Sequence, residues 1–363
     1  MTTTVDLLDL AAAAVSSSIV AAQHITHLAR GELKIRSKAD GTLVTNADLM
    51  AQQIIVQGLR RVSEDVRVVG EESEEEMDQQ HVTGHEDDSA RFFALARQEL
   101  HLRYRNEDTE IQHLPLAPEG AAAPDCDQVL RSPPLAECVV DTQRVSVFID
   151  PLDGTKAYAR GDYEPVSILI AIILDQVPCF GVINKPFGYP GQTTVMDTGC
   201  VAIYGGTLLG AAYTAGGGYC TKATPTPSSP PTSEDLPRAV ISSSRSAGIV
   251  EEFVTHLGTK GMIHPTPLMI SGAGEKSLRI LLRSEQEGLW FFPKAGTSLW
   301  DVAASDALLR ATGGRLTDKH GKDMDYSKTR LEAENHDGVV ACYDRSLHAE
   351  CIKLFLEGTW TNN

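Results

Sequence analysis

Apolar residues recur at helical spacing near the start of the chain: Val5, Leu8, Ala12, Val15, Ile19, Ala22 and Ile25. That period predicts a long amphipathic helix over residues 5–30. Lys38-Ala-Asp-Gly-Thr42 reads as a turn, residues 48–59 as a second helix, and 66–69 as a short β-run. Farther along, continuous apolar runs replace the helical period. Residues 145–149, 166–174 and 179–183 predict strands, the last two joined as a hairpin through Asp175-Gln176. The second half predicts a strand at 239–242, a helix near 249–257, one from about Gly274 and one over 301–312. Gly313-Gly314 closes the last of these as a C-terminal stop. Strands and helices mixed through both halves point to α/β or α+β layers.

Two stretches break the pattern. Residues 77–140 are polar and weakly periodic apart from a candidate helix near 90–102, and read as a surface insertion. His81 and His85 stand four apart there, a spacing that ligates zinc on a helix, but Thr83-Gly84 favours a solvated loop. Residues 221–237 (TKATPTPSSPPTSEDLP) hold too much proline for a helix or inner strand and read as a loop or linker.

The 363 residues are 42% hydrophobic, enough chain for a large core, so overall disorder is excluded. The formal charge of −17 argues against nucleic-acid polymers and anionic membranes as partners, because both require a basic face. Seven scattered cysteines without a C-x-x-C read as reduced thiols of an intracellular protein. The longest strongly apolar run, 166–174, is far short of the ~20 residues of a membrane helix. The N-terminus lacks a signal peptide's basic region. These features together predict a cytoplasmic protein.

The chemistry concentrates at Asp150-Pro-Leu-Asp-Gly-Thr155. A β-run delivers two carboxylates into a turn, with Pro151 fixing the backbone and Gly154 allowing a sharp change of direction. Such a pair repels unless a cation lies between the acids, and Mg2+ commonly takes one or two carboxylates with waters and phosphate. A plain acidic turn has the same composition. Two further acids matter. Glu71-Glu72 follows a strand, though it also begins an acidic run. Asp301 opens a helix, where an N-cap is the simpler role.

The set Asp48, Glu71-Glu72, Asp150-Pro-Leu-Asp-Gly-Thr155 and Trp300-Asp301 before Gly313-Gly314 resembles the signature of the lithium-sensitive, magnesium-dependent phosphatases of the inositol monophosphatase superfamily. Several motifs in the right order carry the resemblance. It spans about residues 5–355, outside the two irregular stretches. Within the superfamily, Asp150–Tyr158 (DPLDGTKAY), Gly181-Val-Ile-Asn-Lys-Pro-Phe187, Ser244-Arg245-Ser246, Gly272-Ala-Gly-Glu-Lys276 and Gly313-Gly-Arg-Leu-Thr-Asp318 resemble the 3′(2′),5′-bisphosphate nucleotidase branch. The inositol polyphosphate 1-phosphatase branch shares the second and fourth of these, but typically has Ser where this chain has Gly154. One departure stands out: Ala247 occupies the region where nucleotidases often carry a nucleotide-contacting His.

The resemblance implies an αβαβα layered sandwich. An N-terminal α+β half, 1–195, would carry most of the metal ligands, and an α/β half, 196–363, would follow. It implies two or three Mg2+ ions on Glu71, Asp150, the Leu152 carbonyl, Asp153 and Asp301, with Glu72 beside them. Thr155 and Asp48 would orient and deprotonate a water. Gly154 and Thr155 N–H groups, Ser244, Arg245, Gly272 and Lys276 would hold a small phosphate ester, and Lys156, Arg160 and Lys294 could add positive field. Lithium inhibition belongs to the same implication. For Lys276 a solvated helix face is the alternative. For Trp290-Phe-Phe292 the reading is core packing first and base stacking second. A non-catalytic protein that keeps the fold to sense a metal or phosphate is the reading from a different class.

Overall fold

In the computed structural model the first apolar period forms α1, Leu7–Leu28, with the Asp6 carboxylate accepting from the Leu8 N–H at its start. The structure describes residues 3–31, 33–38, 41–77, 83–106, 114, 116–118, 133–218, 220 and 235–360. His81, residues 107–113 and 119–132, and residues 221–234 of the stretch expected to be a loop lie outside them. α1 corrects one expectation. It, and not 166–174, is the longest apolar run, and it is long and apolar enough to cross a membrane. Here it is buried in the fold as a core helix, its Leu, Ala and Val side chains packed on a sheet and on two helices.

Those helices are α2, Asn46–Val62, and α3, Glu86–Arg105. α3 overturns the reading of 77–140 as a surface insertion throughout. Phe92, Ala96 and Leu100 are buried against α1. Glu99, fully buried on the same face, accepts from the Tyr204 hydroxyl at 2.6 Å and the Gly216 N–H at 3.0 Å. Only three or four apolar positions per two turns are needed to bury one face, so a sequence this polar overall still packs as core.

The first sheet contains β1 (Arg67–Gly70), β2 (Val145–Asp153), β3 (Ser167–Leu174), β4 (Val177–Lys185), β5 (Val201–Gly206) and β6 (Ala211–Thr214). They lie side by side in the order β6-β5-β4-β3-β2-β1, antiparallel except for β1 with β2. The β3–β4 hairpin turns at Asp175-Gln176, both at positive φ (49° and 65°), the two-residue geometry that suits the strand twist. Successive side chains point to opposite faces. Ile168, Ile170 and Ile172 therefore meet α1, while Leu169, Ala171 and Ile173 enter a second core. Both faces are covered, which is why the strand reads as an unbroken apolar run.

The second sheet has β7 (Arg238–Ser242), β8 (Leu268–Ile270), β9 (Glu287–Phe292), β10 (Arg315–Thr317) and β11 (Val339–Cys342), in the order β8-β7-β9-β11-β10. Helices α6 (Ala273–Leu282) and α7 (Leu299–Ala311) fill the space between the sheets, and α5 (Ile249–Thr259) and α8 (Arg345–Glu357) cover the outer face. The result is the five-layered αβαβα sandwich. The change from one sheet to the other lies between Thr214 and Arg238. At Gly181 in β4 any Cβ would overlap the Ala304 carbonyl, so glycine lets α7 rest directly on the sheet.

Candidate active site

β2 leaves the ladder through a bulge. Asp150 pairs with Leu169 and Asp153 with Ser167, so three steps on one strand match two on the other. Pro151 sits inside that irregularity, where its missing N–H costs no ladder bond. The bulge buries Asp150, whose Oδ1 accepts from the Leu152 N–H at 3.0 Å, and turns Asp153 outward. Gly154 follows at φ 91°, in the left-handed region that favours glycine, and starts α4, the four-residue helix Thr155–Tyr158.

Thr155 Oγ1 donates within 2.9 Å of Asp48 Oδ1 and lies 3.1 Å from the Leu152 carbonyl. Asp48 is fully buried. Its Oδ2 accepts from the Thr45 N–H at 2.8 Å and from the Thr45 hydroxyl, completing a capping box at the start of α2. The cap explains why the helix begins at Asn46, two residues before its predicted start. Burial raises the Asp48 pKa, and the bonds from Thr45 and Thr155 oppose the rise without cancelling it. Asp301 is placed the same way. Ser298, not Asp301, is the N-cap of α7, and Asp301 is the third residue of its capping box, accepting from the Ser298 N–H at 2.6 Å.

The predicted residues meet on one cleft of about 520 Å³. Glu71, Asp153, Gly154, Thr155, Ser244, Arg245, Gly272, Lys276 and Asp301 line it, with Lys156 and Arg160 at the same lining. Asp48, Asp150 and Leu152 lie buried and off that lining. Lys294 is turned to the Ala247 carbonyl, 3.2 Å away.

The carboxylates perturb one another. Burial, then Glu71, Asp153 and Asp301, push the Asp150 pKa well above the usual carboxylate range. Glu71 rises to about 8 through burial and Glu72, against the pull of Lys38. Asp301 rises to about 6 through burial and Asp153. Glu72 turns to Lys38, whose Nζ is 2.8 Å from its Oε1 and 3.7 Å from Glu71, and its pKa rises through burial to about 7. Anions held this close ask for a cation. All the groups offered are hard oxygens, which fits Mg2+. Among the described residues, no three His, Cys, Asp or Glu side chains are closed into a ready-made cage. The open carboxylate set suits an ion that keeps waters and takes phosphate oxygens as ligands.

Several residues that shape the site escaped sequence reading. The Gln52 amide bonds both backbone groups of Glu72, Nε2 to the carbonyl at 2.6 Å and Oε1 from the N–H at 2.9 Å. Gln52 stands four residues after Asp48, on the same helical face, the one signal that could have pointed to it. Arg330 donates to the Glu71 carbonyl at 2.7 Å from 259 residues away, and nothing local marks it. The aromatic run is buried in the second core throughout, as core packing predicts. Strand alternation divides its neighbours: Phe291 packs against Phe253, 4.5 Å between centroids, while Trp290 and Phe292 also border the cleft. There Lys276 Nζ stands 5.2 Å over the Trp290 ring and the Arg245 guanidinium 4.9 Å over Phe292. Lys276 is buried, not on a solvated helix face; it donates to the Gly272 carbonyl at 2.7 Å, and burial lowers its pKa to about 8.

Comparison with known proteins places this geometry. A family model described as the inositol monophosphatase family matches residues 107–357. A 3′(2′),5′-bisphosphate nucleotidase 1 of Dictyostelium discoideum is 26% identical over 348 residues, covering 94% of each chain. The 3′(2′),5′-bisphosphate nucleotidase 1 of Homo sapiens is 27% identical over 321 residues, covering 86% of this chain and 83% of that protein. In fold, the chain is similar to the extragenic suppressor protein suhB from Bartonella henselae. The TM-score is 0.57 at 14% identity, covering 96% of this chain and 98% of that one.

Proposed function

We propose, for a chain that belongs to the inositol monophosphatase family, that it is a Mg2+-dependent phosphatase removing the 3′-phosphate of 3′-phosphoadenosine 5′-phosphate to give AMP and phosphate. The bisphosphate nucleotidases similar to it over most of its length support that substrate. The observation that carries the chemistry is the hydrogen bond from half-buried Thr155 to buried Asp48 beside the carboxylate cluster. Glu71, Asp150, the Leu152 carbonyl, Asp153 and Asp301 would hold the ions. Bound Mg2+ supplies positive charge for the phosphate and lowers the pKa of the attacking water.

The chain's own residues do the rest. Thr155 Oγ1 donates to Asp48 and offers a lone pair to the water, so the water's proton passes through the hydroxyl to the carboxylate. A hydroxyl alone is a poor base, and burial makes Asp48 a better proton acceptor than an ordinary carboxylate. Lys276 and Arg245, the cations over Trp290 and Phe292 on the cleft lining, would meet the second phosphate, with Ser244 and Gly272 beside them.

The test is phosphate release by purified protein from 3′-phosphoadenosine 5′-phosphate and from inositol 1,4-bisphosphate, with Mg2+, with chelator and with added Li+. A kcat/KM at least ~10-fold higher for the nucleotide, about 1.4 kcal/mol of transition-state binding, supports the reading. Preference for the inositol ester would move the substrate to the second branch and make Ala247 the residue to examine. Phosphate release from neither substrate would favour a non-catalytic protein that senses a metal or phosphate.

A further inference from the structure

Behind the cleft, the Lys185 ammonium and the Glu275 carboxylate form an ion pair at 2.8 Å, both side chains almost wholly buried. The activity described above uses neither. Lys185 closes β4, in the Asn184-Lys-Pro-Phe187 segment, and also donates to the Glu164 carbonyl. Glu275 lies in the first turn of α6, where Arg279 holds its other oxygen at 3.0 Å. One ammonium thus ties together the end of a central strand, the 164–165 segment and the start of α6.

What that turn presents to the cleft makes the tie matter. The Gly274 N–H donates to Asp153 Oδ2 at 2.8 Å, and Ser167 Oγ donates to the same oxygen at 3.2 Å. A Cβ on Gly272 would stand 2.8 Å from the Pro165 carbonyl and 3.0 Å from Asp153 Oδ2, and one on Gly274 would overlap Ser167 Oγ. The turn is therefore pressed against Asp153 without slack. Lys276, the next residue after Glu275, projects to the cleft and donates to the Gly272 carbonyl. The aim of Asp153 and the place of Lys276 both depend on where this turn sits.

We propose that Lys185 and Glu275 are a positioning pair: from the reverse face of α6 they set its first turn, and through it the orientation of Asp153 toward metal and of Lys276 toward substrate. The proposal rests on the functional reading above. A buried pair is weak support for stability in itself, because desolvation consumes much of the attraction, and two neutral residues of similar size can replace it. A role in positioning therefore separates from a role in folding.

The experiment uses the full chain with Lys185→Met, Glu275→Gln and the double variant. It reads thermal unfolding, Mn2+ binding by calorimetry without substrate, and KM for the bisphosphate against a monophosphate. Each single variant unfolds earlier. The double variant regains most of the lost stability yet binds Mn2+ about tenfold more weakly, the loss typical of groups that orient metal ligands. Its KM rises more for the bisphosphate than for the monophosphate. Wild-type Mn2+ affinity and KM in the double variant would overturn the proposal. Should the double variant not fold, Glu275→Asp keeps the charge and shortens the reach by one methylene. Weakened Mn2+ binding in that variant supports the proposal, and unchanged binding overturns it. If the unaltered chain binds no Mn2+, the functional reading itself fails, and the pair has no metal ligand to position.

Discussion

Asp48→Asn isolates the proton acceptor from the fold. The two side chains have nearly the same shape, and Asp48 sits in a closed set of three donors. The Thr45 N–H and hydroxyl reach Oδ2, and the Thr155 hydroxyl reaches Oδ1 at 2.9 Å. An Asn keeps its amide oxygen toward Thr45, where two donors wait, and so presents NH2 to Thr155. The Thr155 hydroxyl must then accept instead of donate and can no longer hand a proton onward. General-base assistance contributes ~10²–10⁴-fold, so kcat should fall by that factor, about 3–5.5 kcal/mol of barrier. Folding should change little. The helix cap survives through the amide oxygen, and a buried carboxylate that burial already disfavours is replaced by a neutral group. Stability should stay within about 1 kcal/mol, the size of a cap contribution. Single-turnover phosphate release and thermal unfolding on the same preparation separate the two effects. Thr155→Val removes the other half of the relay and should cost a similar factor, while the double variant should lose little more than either alone. Additive losses, or an Asp48→Asn enzyme within tenfold of wild type, would refute the relay.

Three other expectations follow from local geometry. Lys276→Ala should raise KM for the bisphosphate ~10-fold or more and leave a monophosphate nearly unchanged, because the buried ammonium stands over Trp290 on the cleft lining; equal effects in steady-state assays would count against a second-phosphate role. His348 is buried beside Thr317 Oγ1, 2.8 Å away, and burial followed by Arg315 lowers its pKa to about 4. The unfolded chain, at about 6.5, binds that proton first. Stability is therefore full above pH 6.5 and falls as pH drops toward 4, by at most about 3.5 kcal/mol at ~1.4 kcal/mol per unit and less with solvent screening. Urea unfolding of His348→Gln across that window should show a flatter acid limb, and an unchanged limb would remove His348 as the cause. Gly181→Ala forces a methyl against the Ala304 carbonyl and should lower stability by about 1–3 kcal/mol in denaturant unfolding; a neutral result would mean that α7 lifts off the sheet at no cost.

The elements that sequence reading recovered are those whose signal is local. The β3–β4 hairpin announces itself through an apolar run on each side of Asp175-Gln176, and α1 through six apolar residues on one period, Leu8 to Ile25; the seventh, Val5, falls in a short strand just before the helix. The acids were legible because each stands next to a structural punctuation mark: Pro151 and Gly154 around Asp153, a strand end before Glu71, a helix start at Asp301. What stayed hidden depends on tertiary partners. α3 is polar by count, and its buried face shows only against α1. Asp48 and Asp301 occupy the same third position of a capping box, yet the caps, Thr45 and Ser298, were not seen as the residues that start the helices. Arg330 and Lys185 act across 259 and 90 residues, at separations where spacing carries no information.

Those distant residues share one property that bears on how the cleft works. Gly274 and Ser298 give N–H donors to Asp153 and Asp301, Gln52 clasps the backbone of Glu72, and Arg330 takes the Glu71 carbonyl. Each fixes where an acid stands, and none is a cation resting on the carboxylate of Asp150, Asp153 or Asp301. Lys38 comes near, but it lies closer to Glu72 than to Glu71. The acids are therefore held close together, and burial first, then their mutual repulsion, raises the pKa values of Glu71, Asp150 and Asp301. Arg245 and Lys276 stand over Phe292 and Trp290 at the same cleft. The charges of Asp153 and Asp301 act on Lys276 and oppose the effect of its burial, so carboxylates and cations share one cleft. The carboxylates favour a divalent cation, and the two ring-supported cations favour an anion. A phosphate ester that carries a further anionic group, brought together with divalent ions, satisfies both.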